Sequence, residues 1–198
     1  ASSAAGSPSA WGAQCLLVDI DGSFGTRAYV DKAVATPYAQ SWYGFETVVK
    51  SFGTLNSNIS LASAWNSGAA NMVWQVQLKD VGGVKKISFH IYHDGNDNEF
   101  NWPASGGISL NQLYRVEVNW DTDNDRWRTR VNGQDAFSGT LTAAAATRTV
   151  GHQSLGAVTT ASTTGPEYYV DRYRVGQPFT PANLLMNVES MITLTYSD

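Results

Sequence analysis

Nine short runs of alternating apolar and polar residues, each closed by a turn pair, constrain this chain more than any other feature. They are Cys15–Ile20, Gly44–Phe52, Ile59–Ala64, Met72–Leu78, Lys86–Tyr92, Tyr114–Trp120, Trp127–Val131, Arg148–Leu155 and Glu167–Val175. Between them stand Asp21-Gly22, Gly82-Gly83, Asp94-Gly95, Gly106-Gly107, Asn132-Gly133 and Gly165-Pro166. Such pairs make turns because Gly accepts positive φ, Pro fixes it, and Asx side chains bond their own backbone. A period of two places every second side chain on one face, which is the mark of a half-buried strand. Strands at this spacing predict an antiparallel two-sheet sandwich rather than βαβ units. The segment Pro181–Ser190 is the one helical candidate, with Thr180 as cap and Pro181 in the first turn. The alternative there is a further strand over Asn187–Tyr196.

Composition agrees with a packed β protein. Of 198 residues only 15% are charged, whereas 12% are aromatic and 18 are Gly. Thirteen basic against seventeen acidic side chains give a net charge of −4 and a pI near 5.3. That balance argues against nucleic acid or an anionic membrane as partner, because both require a basic surface. No apolar run reaches the length of about 18 residues that a spanning helix needs. Cys15 is the single cysteine, so neither an internal disulfide nor a thiolate zinc cage is available. Residues 1–10 are small and aperiodic and are expected to form a flexible arm. The absence of Met at position 1 suggests processing, either of a signal peptide or of Met alone. The expected location is extracellular, cell-surface or virion.

Strand parity divides the side chains. Trp74, Val76 and Leu78 oppose Gln75, Gln77 and Lys79; Ile87, Phe89 and Ile91 oppose Ser88, His90 and Tyr92. Tyr114, Val116, Val118 and Trp120 oppose Arg115, Glu117 and Asn119. Each strand therefore offers one apolar face to a core. The polar faces are expected to combine into one sheet surface for a sugar, whose hydroxyls need planar donors and acceptors and whose C–H face favours a ring. The candidate ligand-binding residues are Gln75, Gln77, His90, Tyr92, Arg115 and Asn119, with Trp102 at the rim. Trp42, Tyr43, Trp65 and Trp102 are read as lying in or beside loops.

At the level of motifs, Ile108–Asp121 resembles the "sLn-x-WYrVel-x-wD" strand of the concanavalin A-like, laminin-G-like jelly rolls. Arg126–Val131 with Asn132-Gly133 is similar to that family's "VNG" hairpin, Tyr168–Val175 to its closing "yyiDdvrV" strand, and Phe45–Phe52 to an early strand. The resemblance implies an all-β, two-sheet antiparallel jelly-roll sandwich over residues 11–176, with the arm at 1–10 and a C-terminal extension at 177–198. The family includes lectins, adhesion domains, polysaccharide lyases, glucanases and parts of viral fibres, so fold alone does not fix the function.

Three kinds of chemistry are weighed. A glucanase of this family would carry Glu-x-Asp-x-Glu, where Glu117-Val-Asn119-Trp-Asp121 has an amide at the centre. Glu117 and Asp121 would lie about 13 Å apart along a strand, too far for the roughly 5–9.5 Å carboxylate spacings of glycosidases. A lyase needs groups that neutralise a uronate carboxylate and a His or Tyr to move protons. Gln75, Gln77, His90, Tyr92 and Arg115 are of those types, although the Arg-rich strand and Gln-x-His pair of alginate-lyase relatives are missing and Gln75-Val-Gln77 stands in their place. His90, His93 and His152 lack a metal-ligand spacing. The resemblance also implies a structural calcium at Asp171, with Asp19 and Asp21 as the oxygen donors from the N-terminal strand. The acidic loops Asp94–Glu99 and Asp121–Asp125 read as turns, and Arg115, Arg126, Arg128 and Arg130 as a cross-strand charge ladder or an anionic-glycan groove. The expected function is a non-catalytic, lectin-like domain with an oligo- or polysaccharide partner. The alternatives are an assembly subunit of a virion, fibre or surface layer, self-associating through its termini, and a polysaccharide lyase or glycoside hydrolase.

Overall fold

The computed structural model describes residues 16–19, 28–55, 58–66, 71–93, 96–142, 148–157 and 166–176. They form twelve strands: β1 (Leu16–Asp19), β2 (Ala28–Tyr38), β3 (Gln40–Ser51), β4 (Asn58–Trp65), β5 (Met72–Val81), β6 (Val84–His93), β7 (Asn96–Trp102), β8 (Leu113–Asp121), β9 (Arg126–Val131), β10 (Gln134–Thr140), β11 (Val150–Ala157) and β12 (Glu167–Gly176). Two six-stranded sheets result. Sheet A runs β1-β12-β3-β8-β9-β10 and sheet B runs β2-β11-β4-β5-β6-β7. Every pairing is antiparallel, as the alternation requires. Each of the nine runs read from the sequence overlaps a strand among the described residues; β2, β7 and β10 are additional. The expectations for 1–10 and 177–198, including the helix and its alternative strand, lie outside the described residues.

The apolar parities meet between the sheets. Tyr43, Phe45, Val116, Val118 and Trp120 of sheet A face Trp74, Val76, Leu78, Ile87, Phe89 and Ile91 of sheet B. Rings interlock across the gap: Tyr43 and Trp74 lie 5.2 Å apart, and Phe100 and Trp127 4.8 Å. Three polar side chains that enter this layer are bonded within it. The Tyr168 hydroxyl donates to Ser60 O at 2.8 Å, Trp120 Nε1 to Arg148 O at 2.8 Å, and the Tyr173 hydroxyl to Gln153 Oε1 at 2.9 Å. Buried hydroxyls and indole N–H groups left unbonded would cost about 1–3 kcal/mol each. Burial raises the Tyr168 and Tyr173 phenols well above their ordinary range.

Several expectations fail here for identifiable reasons. Trp42 and Tyr43 lie within β3, which begins four residues before the predicted run, and Tyr43 is core. Trp102 ends β7 opposite Ile87 and packs edge-on against Tyr114 at 5.9 Å. It faces the interior, not a ligand. Strict alternation also fails in β12. Arg172 has φ +52° and the register shifts between Asp171 and Arg174, so Tyr168 and Val170 face the core before the shift, and Tyr173 and Val175 after it. Asp171, on the parity opposite to Tyr168 and Val170, stands opposite Glu46.

Candidate functional site

The outward face of sheet B gathers polar side chains that the sheet registers into rows. Paired residues on adjacent strands share a face. One row reads Ser154 (β11), Ser63 (β4), Gln75 (β5), His90 (β6) and Glu99 (β7). The next reads Gln77, Ser88 and Asn101 on β5, β6 and β7. Apart from Glu99 and Asn101 on the edge strand, these positions are buried although they face away from the core: Gln75 is 2% exposed and His90 6%. A polar residue so enclosed is costly unless bonded, which makes the bonding pattern informative. Gln77 Nε2 donates to Gln75 Oε1 at 2.5 Å, and Asn101 Nδ2 to Glu99 Oε1 at 2.8 Å. After these bonds Gln77 Oε1, Ser88 Oγ and Asn101 Oδ1 have no hydrogen-bond partner among the described residues. Three buried polar atoms in one registered row form a strip of two acceptors and a hydroxyl, open to further bonding.

Titratable groups border that strip. Lys79 forms an ion pair with Glu99, and His90 Nε2 lies 3.8 Å from Glu99 Oε2. Burial by itself would raise the Glu99 carboxyl, but bonds from Lys79 and Asn101 and the charges of Lys79 and His90 outweigh it and hold Glu99 below the ordinary carboxylate range. Tyr92, two residues beyond His90 and half-buried, stacks on it with ring centroids 6.1 Å apart and planes 25° from parallel. Trp65, at the end of β4, donates Nε1 to Ser63 Oγ at 3.1 Å, and its neighbour in register on β11 is His152. A floor of amides and hydroxyls with a rim of Lys79, Glu99, Tyr92 and Trp65 can bind hydroxyls, meet a carboxylate and move a proton.

Of the predicted ligand-binding set, Gln75, Gln77, His90 and Tyr92 thus come together. Arg115 and Asn119 do not. They lie on β8, on the outward face of the other sheet, where Arg115 Nε donates to the buried Glu46 at 2.7 Å and Asn119 Nδ2 to Ser41 O at 3.1 Å. Parity gives the side a residue takes on its strand, not the sheet its strand joins. Glu99 and Asn101 were missed because the sequence around them reads as an acidic turn; Asn96–Trp102 pairs with β6 instead. Its alternation of Glu99 and Asn101 against Phe100 and Trp102 is the signal that could have revealed it.

The other sequence candidates have structural roles or no common site. Glu117 pairs with Arg174 at 3.5 Å. Asp121 Oδ1 accepts from Asn124 N at 3.1 Å and Asp121 Oδ2 from Arg126 Nε at 2.8 Å, as a turn residue should. Asp19 stands opposite Glu167 while Val170 stands opposite Leu16, so Asp19 and Asp171 are separated by about 13 Å along the strands. Asp21 lies outside the described residues. Among those residues no group of three His, Cys, Asp or Glu side chains is placed to hold a metal. Burial and the nearby Glu46 raise the Asp171 carboxyl, with the Arg172 backbone N–H and charge opposing.

No protein-family model and no curated protein matches the sequence. Solved structures do. The fold is an all-β, two-sheet jelly-roll sandwich like that of several solved polysaccharide lyases. Alginate lyase Aly36B superposes with a TM-score of 0.63 at 15% identity, over 83% of this chain and 81% of its own. The endo-β-1,4-glucuronan lyase of the fungus Trichoderma reesei gives 0.60 at 15% identity, over 85% and 83%. Alginate lyase AlyC3 in complex with dimannuronate gives 0.60 at 13% identity, over 82% and 74%. Identities this low establish the fold. These superpositions overturn the expectation of a non-catalytic lectin-like domain, since the three proteins named here are lyases.

Proposed function

We propose that this protein is a polysaccharide lyase that cleaves a uronate-containing polysaccharide on the outward face of β4–β7. The observation that carries the proposal is the registered strip of Gln77, Ser88 and Asn101, whose buried polar atoms lack partners, bordered by Lys79 and Tyr92. The resemblance to alginate and glucuronan lyases supports the reaction class. In β-elimination a base removes the proton at C5, the C4–O4 bond breaks, C4 and C5 become doubly bonded, and O4 leaves with a proton. Removing the C5 proton is feasible only if the adjacent carboxylate is neutralised as charge builds on it.

The residues divide this work. Gln77 Oε1 and Asn101 Oδ1 accept hydrogen bonds from sugar hydroxyls, and Ser88 gives or receives one. Lys79, with three donors of which Glu99 occupies one, meets the C6 carboxylate. With Gln at position 77, the proton falls to another side chain, and Tyr92 is the half-buried acid–base group beside the strip. It takes the C5 proton and returns it to O4 on the same side of the ring. His90 is a positioning residue: it is buried, stacks on Tyr92 and turns Nε2 toward Glu99.

Incubation with alginate and with glucuronan, followed by the ultraviolet absorbance of an unsaturated uronate, tests the proposal. Product is expected from at least one polymer, and Tyr92→Phe is expected to slow its formation by about 10²–10⁴-fold, the usual range for loss of an acid–base group. No unsaturated product from any polyuronate would overturn the function. Full activity in Tyr92→Phe would overturn the assignment of the proton.

A further inference from the structure

Two of the seven predicted ligand-binding residues, Arg115 and Asn119, lie on the opposite side of the molecule, where Asn119 lines a cavity. On the outward face of sheet A a trough of about 600 Å³ is lined by Trp42, Asn119, Arg126, Arg128, Ser138 and Thr140, among others. Register explains why these six meet. Gly176, Trp42, Asn119, Arg128 and Ser138 form one row across β12, β3, β8, β9 and β10, and Gln40, Asp121, Arg126 and Thr140 form the next. Five strands at about 4.8 Å spacing make the row about 19 Å long, the length of a short oligosaccharide. Gly176 contributes no side chain at one end, and Ser138 and Thr140 only small ones at the other, so the trough stays open along its length.

Its chemistry is cationic and aromatic. Arg126, Arg128 and Arg130 share two partners, Asp121 and Asp135. Asp121 is committed to Arg126, Gln40 and Asn124. Asp135 bonds Arg130 at 2.7 Å but reaches Arg128 only at 3.7 Å, and Arg128 is 41% exposed. The Arg128 fork is thus the group best placed to take a carboxylate. Trp42 is held by the Arg130 guanidinium 4.7 Å from its ring centroid, so the indole is already ordered before a sugar reaches it, and Asn119 supplies an amide beside it.

We infer that this trough is a second saccharide site, one that holds an acidic oligo- or polysaccharide by its carboxylates and hydroxyls without cleaving it. It shares with the proposed function only the chemical class of ligand and is separated from Tyr92 and Lys79 by the full thickness of the sandwich. On a polymer substrate such a site keeps the chain attached between cleavages, raising the effective concentration of substrate at the other face.

Native electrophoresis of the intact chain through gels containing alginate, glucuronan or a neutral β-glucan tests the inference. Arg128→Gln and Ser138→Glu alter exposed side chains, and circular dichroism checks that both variants fold as the wild type does. The wild type is expected to be retarded by an acidic polymer and not by the neutral one. Each variant is expected to weaken that retardation about tenfold in apparent Kd, and lyase turnover of a short oligouronate is expected to stay unchanged. Three outcomes overturn the inference: no retardation of the wild type, equal retardation in both variants, or retardation by the neutral glucan as strong as by the acidic ones. Retardation that depends on Arg128 without any unsaturated product would remove the proposed function and leave this site standing.

Discussion

Asp121 and Asp171 are carboxylates of one sheet with opposite titration. Asp121 is fully buried, and burial alone would raise it, yet bonds from Asn124 and Arg126 hold it below the ordinary range. A lowered group contributes stability that is present above its unfolded pKa and lost as pH falls through the folded one. Asp121→Ala removes the acceptor for Gln40, Asn124 and Arg126 at once and is expected to cost about 1–3 kcal/mol at neutral pH, read from urea unfolding midpoints. Asp171 is raised, first by burial and then by Glu46. The stability of a raised group is present below its unfolded pKa and lost as pH rises through the folded one. Asp171→Asn is therefore expected to increase the melting temperature at pH 7 and to leave it unchanged near pH 3; a loss at pH 7 would show that the ionised form is the one the fold needs. Asp121 was legible as a turn residue because Asp-Thr-Asp-Asn is local chemistry. The surroundings of Asp171 were not legible, because the register shift falls at Arg172, a residue with no turn preference, and every later parity in β12 depends on it.

The central strands were legible, and of the four edge strands only β1 was. β3, β4, β5, β6, β8, β9, β11 and β12 all lie between two neighbours or carry uniform apolar alternation, and burial on one face forces that alternation. The strands missed are β2 and β7, the two edges of sheet B, and β10, an edge of sheet A. Edge strands carry Pro, charges and poor strand formers, which limit pairing with other chains. β2 contains Pro37, β7 reads Asn-Asp-Asn-Glu, and β10 contains Gln, Asp, Ser and Gly. Missing β7 concealed two members of the candidate site. An edge can still be tightly packed: a Cβ on Gly139 of β10 would come within 2.7 Å of Trp127 Nε1. Gly139→Ala is expected to cost about 1–3 kcal/mol by overpacking. Phe89→Ala in the central β6 is expected to cost about 3–5 kcal/mol through its cavity. Equal effects at the two positions in denaturant unfolding would contradict this division between edge and centre.

At the scale of the whole molecule, the two outward faces could not be separated by pattern alone. The alternations of β5, β6 and β8 look alike in sequence, but the chain crosses from sheet B to sheet A between β7 and β8, so polar residues of matching parity end on opposite surfaces. Composition gives one global property that the structure explains. Asp80, Glu99, Asp121 and Asp135 are all held below their ordinary range. For Asp80 the bond from Lys85 is the largest cause, for Asp135 the bond from Arg130, and for Glu99 and Asp121 bonds and cations overcome burial. Among the described residues, Asp171 alone of the shifted carboxylates is raised. Four lowered groups against one raised group mean that the unfolded chain binds more protons over the acidic range, so stability falls as pH falls. Asp135 is exposed and contributes less because solvent screens it; Asp121, fully buried, contributes most. The melting temperature is expected to be level from about pH 7 to 5 and to drop as pH falls below about 4, where carboxylates ordinarily protonate. Glu99 connects this to the candidate site, since its protonation releases Lys79 and removes the charge facing His90. Loss of the proposed lyase activity in acid should then begin before the melting temperature reaches the assay temperature. Activity that persists until the protein unfolds would show that Glu99 is not part of the working site, and a melting temperature independent of pH between 6 and 3 would show that these ion pairs do not stabilise the fold.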